Sequence, residues 1–97
     1  MAGKGIFRQG DYTQGHPCWP PTLPAEWSSK VTCNNKYVVL EGHRIVPHCC
    51  PDNGCHDGVF VGAHKVSCEG RNVIITDDPV TCGDKAGPGS GNVTIGG

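Results

Sequence analysis

Lys30-Val31-Thr32-Cys33-Asn34-Asn35-Lys36-Tyr37-Val38-Val39-Leu40 recurs without a gap as Lys65-Val66-Ser67-Cys68-Glu69-Gly70-Arg71-Asn72-Val73-Ile74-Ile75. The two stretches lie 35 residues apart and keep their character over eleven positions. Each is a pair of β-type runs around a dipeptide, Asn34-Asn35 or Glu69-Gly70, suited to a two-residue hairpin turn at positive φ. A truncated third copy, Gly91-Asn92-Val93-Thr94-Ile95-Gly96, matches only the first strand of the unit. Repetition of a hairpin unit predicts units set around an axis or stacked side by side. The half-repeat predicts that the chain ends complete a closed arrangement.

Outward from the repeat, the expected strands are Lys30 to Cys33, Tyr37 to Leu40, Gly58 to Val61, Lys65 to Cys68, Asn72 to Thr76 and Asn92 to Ile95. No window of eleven residues carries a helical apolar pattern free of Gly or Pro. The chain is therefore expected to be one all-β domain over residues 1–97. Cys33 and Cys68 sit at matching positions where the third copy has Ile95, so both thiols are expected to be small apolar filler of the core.

Of 97 residues, 15 are Gly, 8 Pro and 7 Cys, and 6% are aromatic. Too few bulky side chains are present for hydrophobic burial alone to hold the domain, so a disulfide, a metal or a partner surface must contribute. Eight Lys and Arg against nine Asp and Glu leave a formal charge of −1. Without a basic run there is no footprint for nucleic acid or anionic lipid. No apolar run approaches the roughly 20 residues of a membrane span, and Met1 to Gly10 lacks the apolar stretch of a signal peptide. Synthesis in a cytosol is expected, where cysteines serve metal more often than disulfides.

Between the hairpins lie loops of a different composition: Gly15-His16-Pro17-Cys18-Trp19-Pro20-Pro21, Pro47-His48-Cys49-Cys50-Pro51-Asp52-Asn53-Gly54-Cys55-His56-Asp57-Gly58 and Pro79-Val80-Thr81-Cys82-Gly83. Imidazole and thiolate are the donors zinc prefers, four to a closed structural site. Donors from three loops would cross-link the chain at one point. Disulfides among Cys18, Cys49, Cys50 and Cys55 are the competing reading. His43 and His64, which lie against the repeat units, are expected to be solvated. A catalytic zinc needs an open position and a nearby carboxylate, for which Asp52 and Asp57 are candidates. The chain offers no pocket-forming framework, however, so it is not expected to be an enzyme. Gly87-Pro88-Gly89-Ser90-Gly91 lacks the strand–loop–helix setting of a phosphate cradle.

Gly10-Asp11, Gly15-His16, Cys18-Trp19-Pro20-Pro21, His48-Cys49-Cys50-Pro51, Gly54-Cys55-His56-Asp57-Gly58, Asp78-Pro79-Val80-Thr81-Cys82-Gly83 and the closing Gly89 to Gly96 follow one another in the order seen in PAAR-repeat proteins. The chain resembles a divergent member of that family, whose proteins tip the spikes of contractile phage tails and type VI secretion systems. It departs from the pattern where Tyr37-Val38-Val39-Leu40 and Asn72-Val73-Ile74-Ile75 replace the name-giving segment. Gly42-His43 and Asp77-Asp78 replace the Gly-Asp that follows it.

The resemblance implies a small cone of β-hairpins with a pseudo-threefold base and one structural zinc near the apex. Carried onto matching positions, the family's three His and one Cys are His16, His48, His56 and Cys82. Cys49 or Cys50 is an alternative to His48, and Cys18, Cys49, Cys50 and Cys55 are left to pair or to pack around the site. The implied partner is a trimeric β-helical spike protein capped by one monomer. The implied location is a phage tail tip, or outside the cell after passage through a contractile system, with no membrane anchor. Alternatives are a free-standing zinc-binding interaction module and a small zinc hydrolase.

Overall fold

The computed structural model describes residues 4–62 and 66–95. Among them the secondary structure is all β, in eight short strands. They are β1 (Lys4–Gly5), β2 (Thr32–Cys33), β3 (Lys36–Tyr37), β4 (His48–Cys50), β5 (Gly54–His56), β6 (Ser67–Cys68), β7 (Arg71–Asn72) and β8 (Thr94–Ile95). They form four antiparallel pairs, β2–β3, β6–β7, β4–β5 and β1–β8. The first two are the predicted hairpins. Their turns fall where the dipeptides put them, with φ of 55° and 67° at Asn34 and Asn35 and 56° and 78° at Glu69 and Gly70. Positive φ at both central residues is the turn whose twist matches the flanking strands.

The third pair of this kind is built from the two ends of the chain. Lys4 faces Ile95 and Gly5 faces Thr94, in the register that pairs Lys36 with Cys33 and Arg71 with Cys68. The truncated copy at Asn92 to Ile95 is thus completed by Lys4 to Arg8, as the half-repeat predicts.

Immediately after these hairpins the three segments interlock. Phe7 N–H donates to the Ile74 carbonyl at 2.8 Å, Ile74 N–H to Val39 at 2.9 Å, and Val39 N–H to Phe7 at 3.0 Å. Three equivalent residues thereby close a ring of backbone hydrogen bonds. One residue earlier, the amides of Ile6, Val38 and Val73 donate to the carbonyls of Val93, Val31 and Val66. One residue later, the amides of Arg8, Leu40 and Ile75 are capped by side chains three positions on: Asp11 at 2.9 Å, His43 at 2.9 Å and Asp78 at 3.0 Å.

Side-chain alternation along these segments separates two cores. Phe7, Val39 and Ile74 are fully buried on one side with Ile45, Phe60, Val80 and Ala86. Val38, Leu40, Val73 and Ile75 lie on the other with Cys33, Cys68, Ile6 and Ile95. Cys33 and Cys68 are free thiols packed with Ile95, the filler role that the repeat implies. Arg8 takes the place of Leu40 and Ile75 in the third segment. Its guanidinium forks onto Asp11 at 2.8 and 3.1 Å and reaches Asn34 at 2.9 Å.

Beyond the ring each segment runs into an arch closed by one backbone bond: Thr13 to Thr22, Ile45 to Gly58, and Val80 to Asp84. The arches pair cyclically. Val46 donates to Leu23 at 2.8 Å, Thr81 to Val59 at 3.0 Å and Gln14 to Lys85 at 2.9 Å, so each returning limb leans on the next arch.

Several expectations need correction. The expected strand Tyr37 to Leu40 is a strand only at Lys36–Tyr37, with Val38 and Leu40 in isolated bridges to Arg8 and Val73. Gly58 to Val61 likewise contributes only bridges, from Val59 to Arg44 and from Phe60 to Val80. Both segments turn from partner to partner around the ring, so neither sustains a ladder. The stretch from Pro47 to Gly58 is not plain loop, since it contains β4–β5. His43 is half-buried, with its Nδ1 accepting the Leu40 amide proton, so it is not simply solvated. His64, Lys65 and Gly96 lie outside the described residues.

Candidate metal centre

The crowns of the three arches differ in length and each brings something different to one point. The middle crown is the longest and folds into the β4–β5 hairpin. Asn53 N–H donates to the Cys50 carbonyl across Pro51-Asp52 at 3.0 Å. Gly54 follows at φ 84°, a three-residue turn with a left-handed exit. The register sets His48 directly opposite His56 and Cys49 opposite Cys55. Facing partners share one side of a two-stranded ribbon, so the two imidazoles project together and the Cys49–Cys55 pair projects the other way. In the first crown His16 and Trp19 exchange backbone bonds at 2.7 and 2.9 Å, which presents the His16 ring. The third crown is the tight turn that carries Cys82.

His16, His48, His56 and Cys82 form a cluster that could hold a metal ion, with one ligand atom from each, all within 4.8 Å of one another. The three Nε2 atoms are separated by 3.4 Å (His16 to His48), 3.2 Å (His16 to His56) and 2.7 Å (His48 to His56). Cys82 Sγ lies 4.0 Å from His16 Nε2 and 3.9 Å from His48 Nε2. A tetrahedral ion with metal–nitrogen bonds near 2.05 Å and a metal–sulfur bond near 2.3 Å places its nitrogens about 3.3 Å apart and sulfur about 3.6 Å from each. The two His16 separations match that spacing, His48 and His56 stand closer together, and the sulfur lies a few tenths of an ångström farther out.

The tautomers of the cluster suit an ion. His48 Nδ1 lies 2.8 Å from the Pro20 carbonyl oxygen, which can only accept. The ring proton therefore sits on Nδ1, and Nε2 turns a lone pair toward the cluster. Desolvation, then the charges of His48 and His16, hold His56 below the ordinary imidazole range, with Asp84 and Asp57 pulling weakly the other way. Protons compete less with a cation for a ring that resists protonation.

Trp19 belongs to the site although sequence reasoning did not single it out. Its ring stacks on His56 at 4.4 Å and on His16 at 5.0 Å, both at 17°, and its Nε1–H donates to the Gly54 carbonyl at 3.2 Å. It braces two of the four cluster residues, from different arches. The available signal was its position three residues after His16 in a Pro-flanked loop.

Neither Cys49 nor Cys50 replaces His48. Cys18 is joined to Cys50 and Cys49 to Cys55 in disulfides, with Cα separations of 5.2 and 4.0 Å. A cluster that could hold a metal and two disulfides, competing readings of the sequence, are therefore both present and use different residues. The first bridge ties the crown of the first arch to that of the second, and the second bridge clamps the hairpin that carries His48 and His56.

No protein-family model matches this sequence, and no curated protein matches it.

Proposed function

We propose that the chain is a rigid tip for the trimeric β-helical spike of a contractile injection machine, pinned by one structural zinc ion held by His16, His48, His56 and Cys82. The observation that carries the reading is the hydrogen-bonded ring of Phe7, Val39 and Ile74. It gives one polypeptide three equivalent faces, which a threefold partner could meet at once. Val31, Val66 and Val93 occupy equivalent places beside that ring, and each remains 38–45% exposed. Apolar side chains left open in triplicate suit the blunt end of a trimer, whose strand edges they would cover.

When bound, zinc would supply cross-linking of the three arches, a contribution on the order of 10–16 kcal/mol in small zinc-dependent folds. The chain's own part is to aim the donors: Pro20 fixes the His48 tautomer, Trp19 braces His16 and His56, and the tight turn delivers Cys82. A structural role is favoured over hydrolysis. Of the two candidate bases, Asp52 and Asp57, the latter is paired with Arg44 at 3.2 Å. The open groove of about 590 Å³ bounded by Glu26, Trp27, His43, Arg44 and Arg71 contains none of the four ligands.

The test is binding of the folded protein to a purified trimeric β-helical spike. Replacing Val31, Val66 and Val93 by Ser should abolish binding and leave the zinc content unchanged. Trimming Asn92 to Ile95 should also abolish it, but that change removes β8 and the packed Ile95, so the triple variant is the cleaner perturbation. Undiminished binding by the triple variant refutes the threefold-docking reading.

A further inference from the structure

Asp84 is 1% exposed, and its Oδ2 is the only buried side-chain oxygen or nitrogen among the described residues without a hydrogen-bond partner. Its Oδ1 accepts the Lys85 amide proton at 2.7 Å, and its own carbonyl closes the third arch by accepting from Val80. A buried carboxylate oxygen left unmatched costs more than a mean hydrogen bond contributes. Such a group is expected either to be replaced by something apolar or to serve a partner besides the Lys85 amide.

Its surroundings indicate that partner. Asp84 stands two residues after Cys82, at the position Thr22 and Gly58 occupy in the other arches. The Thr22 hydroxyl reaches across to the Val46 carbonyl of the next arch, and a Cβ on Gly58 would meet Val80, Thr81 and the Cys82 amide of the next arch. Side chains at this position are therefore turned toward the following arch. For Asp84 the following arch is the one that bears His16. A Cβ on the intervening Gly83 would lie 3.7 Å from His16 Nδ1, so this ring nitrogen sits over the Cys82–Asp84 turn. His48 Nδ1 already has Pro20; of the two rings whose Nδ1 has no hydrogen-bond partner among the described residues, His16 and His56, His16 is the one whose Nδ1 lies over this turn.

Resting on the proposed metal site, we infer that Asp84 is the outer carboxylate of that site, accepting the Nδ1 proton of His16 when Nε2 is committed to the ion. Metal-bound imidazoles commonly pass their second N–H to a carboxylate or carbonyl, which fixes the tautomer and makes the ligand nitrogen a better donor. His48 would use a carbonyl and His16 a carboxylate. The negative charge of Asp84 would also offset part of the charge brought by a divalent cation bound to one thiolate. Asp84 is thus a positioning residue, not a ligand.

The experiment compares zinc affinity, by competition with a chromophoric chelator, in the disulfide-intact protein and in Asp84→Asn. Asn keeps an oxygen for the Lys85 amide and removes the charge. The expected result is a 10–100-fold loss of affinity, the usual effect of deleting such an outer partner, with an unchanged circular dichroism spectrum. Nitrogen-15 spectra of the histidines supply a second readout. In zinc-loaded wild type the His16 Nδ1 proton should be protected from exchange. In Asp84→Asn it should lose protection, while the His48 Nδ1 proton, held by Pro20, stays as it was.

Equal affinity in the two proteins overturns the inference, as does a rapidly exchanging His16 Nδ1 proton in loaded wild type, a test that holds even if the variant does not fold. Wild type that takes up no zinc refutes the metal reading itself. Wild type that binds zinc beside an equally tight Asp84→Asn refutes only the role of Asp84.

Discussion

The two disulfides differ chiefly in how much chain they enclose, and that difference sets a measurable order. Cys18 and Cys50 are 32 residues apart in sequence; Cys49 and Cys55 are 6 apart. If a bridge acts mainly by removing loop-closure entropy from the unfolded chain, the first contributes about 3.7 kcal/mol and the second about 2.2 kcal/mol at 25 °C. For a domain of this size each kcal/mol moves the unfolding midpoint by roughly 4–8 °C. We predict that replacing Cys18 and Cys50 by Ser lowers the midpoint by about 15–30 °C, and replacing Cys49 and Cys55 by about 9–18 °C. Thermal unfolding followed by circular dichroism reads both. It should be run in the Cys82→Ser background with a chelator present, because both bridges flank the proposed metal site and bound zinc would mask the difference. If the short bridge costs as much as the long one, loop entropy is not the operating term. If neither pair moves the midpoint by more than a few degrees, the bridges do not restrict the unfolded chain as argued.

Native mass spectrometry should find one zinc per chain in the purified protein and a lost or strongly weakened ion in Cys82→Ser; a metal-free wild type with the cluster intact would count against the ligand set. Ile74→Ala, at a fully buried member of the hydrogen-bonded ring, should cost about 2–5 kcal/mol in chemical unfolding, since the closely packed arches leave little room to collapse around the gap. His43 is held below its ordinary value of 6.5, first by desolvation and then by Arg71, against weaker opposing pulls from Glu26 and Glu69. The folded state therefore takes up its proton less readily than the unfolded state, and the stability it contributes is complete above about pH 6.5 and declines as pH falls toward the folded value. His43→Asp, which copies the caps supplied by Asp11 and Asp78, should flatten that decline, seen as urea midpoints at pH 5 and 7.5 that differ less than in wild type.

What could be read in advance was whatever local chemistry dictates. Asn34-Asn35 and Glu69-Gly70 announce their hairpins because few dipeptides tolerate two successive positive φ values. The cluster was legible in outline because three His and five Cys gather between the repeat units; which four of them meet at one point was implied by the family resemblance, not by composition. Lys4 to Arg8, the missing half of the third unit, was not legible. Gly5 stands where the other copies have Tyr37 and Asn72, since any Cβ there would lie 2.1 Å from the Ser90 carbonyl oxygen. Arg8 replaces Leu40 and Ile75 because it is neutralised by Asp11, a contact that exists only in the fold. The β4–β5 hairpin was hidden by Pro51, Asp52, Asn53 and Gly54, which resemble any loop until Cys49 and Cys55 are known to face each other. Cysteine pairing depends on where crowns of separate arches meet, and no spacing along the chain encodes that.

The unequal crowns have a consequence for how such a centre can arise. Three identical subunits deliver donors in multiples of three, whereas a tetrahedral ion would ask for four, and this cluster offers three nitrogens and one sulfur. A homotrimer cannot satisfy that stoichiometry on its own axis without leaving a vacancy or an excess. Covalent linkage of the three arms removes the difficulty: one arm can grow a hairpin that brings two imidazoles, another can keep one, and the last can shrink to a turn bearing sulfur. Each arm is then free to change its donor separately, so the chemical hardness of the site can be retuned one position at a time while the ring beneath it stays the same.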